Sequence, residues 1–124
     1  MLKQHLKATN IELTDAISDY VEKKIGVLEK IIAPQLESLA EVEVGKTTNH
    51  HNKGDVFRAE VNLTMGDKQL RAVAVENDLY KAIDKVKDGI VREVKNAKGR
   101  RENLIKRGHR KLKGMMRGLW GGEE

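Results

Sequence analysis

Polar and apolar residues alternate along this chain with two different periods, and these periods predict its helices and strands. From Leu79 onward, apolar side chains recur every three or four positions, which is typical of an amphipathic helix with one buried stripe. Asp78 or Asn77 can cap the first turn, because a short side-chain oxygen accepts hydrogen bonds from its free N–H groups. The pattern predicts a helix over residues 77–98, with a buried stripe of Leu79, Ile83, Val86, Ile90, Val94 and Ala97.

An earlier segment has the same helical period. Thr14 is its predicted N-cap, and Pro34 predicts an end near Ile32 or Ala33, because the residue before a proline avoids the helical conformation. The predicted buried stripe is Ile17, Tyr20 or Val21, Ile25, Leu28, and Ile31 or Ile32.

Strict alternation of apolar and polar residues predicts four strands. The first contains Leu2, Gln4, Leu6 and Ala8 on one side, and the others span Leu39–Thr48, Val56–Thr64 and Gln69–Glu76. The predicted core positions of the second and third strands are Ala40, Val42, Val44, Phe57, Ala59, Val61 and Leu63. For the fourth strand, the alternation leaves open which side faces the helices. Thr47–Asp55 is a predicted polar loop, and Met65–Lys68 is a predicted hairpin turn.

The order β-α-β-β-β-α predicts an α+β fold. We expect a two-layer sandwich in which a four-stranded sheet carries two helices packed on one face. Short connections make the last three strands antiparallel, and the first crossover is right-handed if strands one and two run parallel. We expect residues 1–98 to form this domain and residues 99–124 to form a basic, flexible C-terminal tail, because its repeated glycines weaken a helix.

Charge is distributed unevenly along the chain. Residues 1–94 contain 14 basic and 16 acidic side chains, whereas residues 95–124 contain 10 basic and 3 acidic ones. A near-neutral body joined to a basic extension points to a polyanionic partner: RNA, DNA or an anionic membrane surface. The alternative is a tail that only increases solubility. The absence of cysteine excludes disulfides and thiolate metal sites, and fits a cytoplasmic protein. No apolar run is long enough to cross a bilayer, and the N-terminus lacks a signal-peptide core.

No catalytic constellation is visible in the sequence. His50 and His51 are adjacent in the polar loop without a thiolate nearby, which gives little support for a metal site. Asp84 and Asp88 lie one helical turn apart, and we interpret them as ion-pair partners of nearby basic residues, such as Asp88 with Arg92. We therefore expect a protein that is not an enzyme, with no metal, no cofactor and no small-molecule substrate.

Basic residues on two helices can contact the phosphates of a folded RNA, provided that a rigid platform holds them at a suitable spacing. The alternative is that these residues are the solvated sides of amphipathic helices. The candidate RNA-binding residues are Lys23, Lys24 and Lys30 on the first helix, Lys81, Lys85, Arg92, Lys95 and Lys98 on the second, and Arg100 and Arg101 beyond it.

Two segments resemble a known family. The first runs from Ala8 to Thr14 and continues through Ala16-Ile17 and Tyr20–Ile25, and the second is Asp78-Leu79-Tyr80-Lys81-Ala82-Ile83-Asp84-Lys85-Val86. Both are similar to signatures of the ribosome-associated inhibitor and hibernation-promoting proteins, also called sigma-54 modulation proteins. The resemblance covers roughly residues 1–98 and implies the same β-α-β-β-β-α fold. Long members of that family carry a second, dimer-forming domain, for which 124 residues leave no room, so we expect a short form.

The resemblance also implies a function. A member of this family would bind ribosomal RNA of the small ribosomal subunit, in the channel for messenger and transfer RNA, and would inhibit translation by occupancy in stationary phase or stress. The positions that match the family's basic helix residues are Lys23, Lys24, Lys85, Arg92, Lys95 and Lys98. The alternative hypothesis is a regulatory adaptor that binds a protein partner through its basic tail. Association of the tail with anionic membranes is a third hypothesis, which we place last.

Overall fold

The computed structural model describes residues 1–47 and 54–119, with side chains as far as Arg100. Most of the predicted polar loop, including His50 and His51, lies outside the described residues, as does Trp120. The chain forms two compact units, Met1–Val94 and Lys95–Glu124. The division into a 1–98 domain and a 99–124 tail stays a prediction.

The elements follow the predicted order, with a short 3-10 helix added after the first α-helix. They are β1 (Leu2–Thr9), α1 (Asp15–Ile25), the 3-10 helix Gly26–Lys30, β2 (Ser38–Thr47), β3 (Val56–Met65), β4 (Lys68–Glu76) and α2 (Leu79–Leu119). The sheet order is β1-β2-β3-β4. β1 pairs with β2 in parallel, and the other two pairs are antiparallel. The predicted α+β fold, with four strands and two helices, is confirmed.

One face of the sheet forms the core. In β2, Ala40, Val42 and Val44 are buried, and their partners across β3 are Leu63, Val61 and Ala59. The structure also decides the orientation of β4, which the sequence left open. Ala72 faces the helices, since a Cβ placed on Gly89 of α2 would lie 3.3 Å from the Ala72 Cβ, whereas Val73 and Val75 on the other side are exposed.

The first helix begins as predicted and ends earlier. The Thr14 hydroxyl oxygen accepts a hydrogen bond from the Ile17 N–H at 3.2 Å, which confirms the N-cap. The α-helix ends at Ile25, and the chain continues in the 3-10 helix Gly26–Lys30 instead of running on to Ile32. Glycine disfavours a helix interior, and tighter 3-10 turns are common at helix C-termini. Leu28 is still fully buried, because the tighter turn keeps the apolar stripe on the sheet.

The last helix begins as predicted and ends later. An Asp78 carboxylate oxygen accepts from the Tyr80 N–H at 3.4 Å, as expected of an N-cap. All six residues of the predicted stripe are buried. However, α2 continues beyond Lys98 to Leu119. Each glycine costs a helix only about 1 kcal/mol, and the intervening Lys, Arg, Leu and Met residues are good helix formers.

Candidate nucleic-acid interface

The exposed side of α2 carries a stripe of basic residues within the first compact unit. Lys81, Lys85 and Arg92 are all exposed. They are spaced four and seven positions apart, which places them on one side of a helix with about 3.6 residues per turn. Asp88 lies on the same side and interrupts the positive charge. Asp88 is an ion-pair partner of a nearby basic residue, as predicted, but that residue is Lys87, at 2.8 Å, and not Arg92.

Two of the candidate lysines are held by carboxylates. The Lys85 Nζ lies 2.7 Å from an oxygen of Glu76, and the Lys24 Nζ lies 3.4 Å from Asp84 Oδ1. A phosphate that binds either lysine must compete with this partner. Among the side chains that the structure describes, those of residues 1–47 and 54–100, Lys81 and Arg92 have no ion-pair partner and are immediately available to an anion.

The basic residues of the first helical segment stand in a more mixed environment. Lys23 lies on α1 and Lys30 on the 3-10 helix, and both are exposed. They border a shallow groove together with Asp19, Glu22 and Gly26. The two carboxylates offset much of the positive charge at this groove, so we expect it to attract a phosphate less strongly than the stripe on α2 does.

Four side chains connect α1 to α2, and we call them the helix junction: Tyr20, Lys24, Tyr80 and Asp84. The Tyr20 hydroxyl donates to Asp84 Oδ1 at 2.7 Å. The ring centroids of Tyr20 and Tyr80 lie 4.8 Å apart at an angle of 88°, an edge-to-face contact. The Lys24 Nζ lies 5.3 Å from the centroid of the Tyr20 ring, within range of a cation–π interaction.

Charge at the helix junction is fixed by these contacts. The hydrogen bond from Tyr20 and the nearby Lys24 ammonium hold the pKa of the Asp84 carboxyl below its ordinary value. The same hydrogen bond raises the pKa of the Tyr20 hydroxyl. At neutral pH the junction therefore contains an ionised Asp84 carboxylate beside a protonated Tyr20 phenol. The sequence did not indicate this cluster, although Tyr20 and Lys24, like Tyr80 and Asp84, are separated by one helical turn.

The remaining candidates belong to the second compact unit, Lys95–Glu124. Lys95, Lys98 and Arg100 are exposed, and the Arg100 Nε donates to the Asn96 carbonyl oxygen at 3.4 Å. Arg101 lies on α2, but its side chain is outside the described part of the molecule. The role of these four residues, like that of the other six, stays a prediction.

The open face of the sheet contains a different charge arrangement. Glu60 accepts from Asn62 at 2.8 Å and from Arg71 at 3.0 Å, and it pairs with Arg58 at 2.7 Å. These donors, Asn62 first, lower the pKa of Glu60 to about 2. The two arginines are thus neutralised within the sheet, which makes this face a poorer phosphate-binding surface than the exposed side of α2.

A cluster of metal ligands and a membrane-spanning helix are two other features that would indicate a function. No group of three or more His, Cys, Asp or Glu side chains that could hold a metal ion occurs among the described side chains, those of residues 1–47 and 54–100. No helix in that part of the chain is both long enough and apolar enough to cross a membrane.

Comparison with known protein families matches residues 4–102 to the family described as "Sigma 54 modulation protein / S30EA ribosomal protein". The chain belongs to this family. It is 35% identical over 100 residues to a ribosome hibernation promotion factor of Lactococcus lactis subsp. cremoris (strain MG1363), a match that covers 81% of this chain and 51% of the relative. It is 32% identical over 100 residues to that of Staphylococcus aureus (strain COL), covering 81% and 50%. The resemblance seen in the sequence is confirmed.

Solved structures show the same fold. The N-terminal domain of Thermus thermophilus Protein Y is 32% identical, with a TM-score of 0.63 over 77% of this chain and 96% of that domain. A ribosomal subunit interface protein from Coxiella burnetii is 16% identical and shares the fold, with a TM-score of 0.59 over 80% and 99% of the two chains. With respect to the two hibernation promotion factors above, the present chain spans about half the length of the curated relatives it matches.

Proposed function

We propose that this protein is a ribosome-binding translation inhibitor, a hibernation factor that acts in the cytoplasm. It would occupy the messenger and transfer RNA channel of the small ribosomal subunit and would block translation by occupancy, without making or breaking a covalent bond. The observation that carries the proposal is the exposed basic stripe of α2, in a chain whose curated relatives are named ribosome hibernation promotion factors.

The geometry supports binding through the phosphates of ribosomal RNA. Lys81, Lys85 and Arg92 stand on one rigid helix whose opposite side is anchored in the core. A rigid platform matters because RNA helices are recognised mainly by shape and by backbone contacts. Lys23, Lys24 and Lys30 provide further cations on the neighbouring segment. The net charge of this first unit is slightly negative, so the local arrangement of its cations, rather than their total, would create the attraction.

Co-sedimentation tests the proposal. The full chain is centrifuged through sucrose gradients with purified small ribosomal subunits, at several salt concentrations. We expect it to move with the subunits at low salt and to dissociate as salt rises, because each phosphate contact releases counterions. No co-sedimentation at low salt, or binding that does not respond to salt, would contradict the proposal.

The second unit favours one alternative, a regulatory adaptor that binds a protein partner. Residues 95–124 form a compact unit of their own and contain all of the excess positive charge. Replacing Lys111, Lys113 and Arg117 together by glutamine separates the two functions. The inhibitor hypothesis predicts weaker binding to small subunits and a flatter salt dependence, whereas the adaptor hypothesis predicts unchanged binding to the subunits.

A further inference from the structure

We propose that the helix junction binds one unpaired RNA base, with Tyr80 as the stacking surface and Asp84 as the hydrogen-bond acceptor. This inference rests on the proposed function, since it assigns a specific contact within the ribosomal RNA that the basic stripe would bind. The ligand is an unpaired base with an exocyclic amino group, namely adenine, cytosine or guanine.

Tyr80 has the position and exposure that stacking requires. The residue is 38% exposed, although it lies in the first turn of a helix whose other side is buried. The Asp78 cap fixes this turn, and the edge-to-face contact with Tyr20 restrains the ring. A tyrosine held in this way loses little conformational freedom when a base stacks on it, and proteins commonly bind unpaired bases on such aromatic surfaces.

Asp84 makes the junction unsuitable for a phosphate and suitable for an N–H donor. Its Oδ1 accepts a hydrogen bond from the Tyr20 hydroxyl and forms an ion pair with the Lys24 ammonium. Its Oδ2 makes no hydrogen bond within the described residues. The side chain is 44% exposed, so this second oxygen can accept from a ligand. An ionised carboxylate is an acceptor only, and it repels phosphate. The amino group of a base satisfies this requirement, whereas uracil offers only its ring N–H.

The alternative interpretation is that the helix junction has a purely structural role and only holds the two helices together. It explains the Tyr20–Asp84 hydrogen bond, but it does not require an exposed Tyr80 ring or an unoccupied carboxylate oxygen beside it. The two interpretations differ in whether a nucleotide lies against Tyr80 in the complex, and this can be tested directly.

Photo-crosslinking provides that test. A photo-reactive phenylalanine analogue replaces Tyr80 in the full chain, and the protein is irradiated in complex with small ribosomal subunits. We expect a crosslink to one unpaired adenine, cytosine or guanine, mapped by reverse transcription. The same analogue in place of Val73, which is exposed on the open face of the sheet, serves as the control. Co-sedimentation without a crosslink above the Val73 level would overturn the inference but not the proposed function, whereas absence of co-sedimentation would overturn both.

Two substitutions give an independent measurement. Tyr80→Phe keeps the ring as a stacking surface, so it should lose less affinity for small subunits than Tyr80→Leu does. Tyr80→Leu keeps apolar bulk but loses the stacking surface, so its affinity should fall roughly tenfold. The slope of affinity against salt should stay unchanged, because no phosphate contact is lost. Equal affinity of the Tyr80→Leu variant and the unmodified protein, or a loss accompanied by a flatter slope, would contradict a stacking role.

Discussion

Lys81→Ala removes an exposed cation from α2 that forms no ion pair within the described part of the chain. Its full charge is therefore available to RNA. One phosphate contact contributes roughly 0.7–0.9 to the slope of log affinity against log salt. When the salt concentration falls tenfold, from about 1 M to about 0.1 M, this contact therefore increases the affinity about fivefold to eightfold. We expect the variant to bind small subunits about fivefold more weakly at that concentration, with the slope reduced by the same 0.7–0.9.

Glu76→Gln should act in the opposite direction. It releases Lys85, whose Nζ lies 2.7 Å from the Glu76 carboxylate, with the two side chains 63% and 23% exposed. A pair of this kind is worth about 0–1 kcal/mol, so freeing the lysine should strengthen binding by no more than about fivefold. The slope should become steeper, because Lys85 can then contact a phosphate without losing a partner.

The assay is co-sedimentation with small subunits over a series of salt concentrations. Lys3→Ala is the matched control, because it removes the same charge from an exposed position on β1. The side chain of the next residue, Gln4, donates to the Glu22 carbonyl oxygen of α1, so Lys3 lies on the opposite, open face of the sheet. Its loss should therefore leave the slope unchanged. If Lys3→Ala reduces affinity and slope as much as Lys81→Ala does, overall charge controls binding and the basic stripe does not.

Three further predictions concern stability. Ile83→Ala should lower the free energy of unfolding in urea by roughly 2–5 kcal/mol, because Ile83 is fully buried. Gly45→Ala should cost about 1–3 kcal/mol and lower the Tm, because its Cβ would lie 2.5 Å from the Thr9 carbonyl oxygen. The control is Gly99→Ala, whose Cβ would meet no described atom within 4 Å outside its own stretch of helix, so this variant should not lose stability. The pKa of Glu60 is about 2 in the folded protein, against an ordinary value of 4.5 in the unfolded chain. The ionised Glu60 carboxylate therefore stabilises the fold fully above pH 4.5, and this stabilisation is lost as the pH falls towards 2. Measured by urea unfolding at each pH, the free energy of unfolding should fall less with decreasing pH for Glu60→Gln than for the unmodified protein. An equal fall in the two proteins would contradict this account.

Much of the fold was predictable because its signals are local. The period of the apolar residues gave both helical stripes, and the alternation gave four strands, of which only the orientation of β4 stayed open. Thr14 and Asp78 were recognisable as N-caps because a cap acts within its own first turn. Helix ends were harder to predict. At Gly26 the chain leaves the α-helix early, and at Gly99 it stays helical, because one glycine is a weak signal that neighbouring residues can reinforce or override.

The candidate site was predictable only as a set of charges. The sequence identified Lys81, Lys85 and Arg92 as one side of a helix, since helical spacing alone determines which residues share a side. It could not determine which cations are already paired. The contact of Lys24 with Asp84 depends on how α1 and α2 pack, and Asp88 pairs with a neighbour, Lys87, that spacing alone did not single out.

The sequence by itself thus determined the family, the order of the elements, the apolar core and the location of excess positive charge. Each of these depends only on neighbouring residues or on overall composition. Only the tertiary structure decided that Tyr20 and Asp84, separated by 64 positions, share a hydrogen bond, and that Tyr80 stands exposed beside them. The physical reason is that hydrogen bonds and ion pairs act over a few ångströms in space. The packing of α1 and α2 on the sheet brings these distant residues within that range.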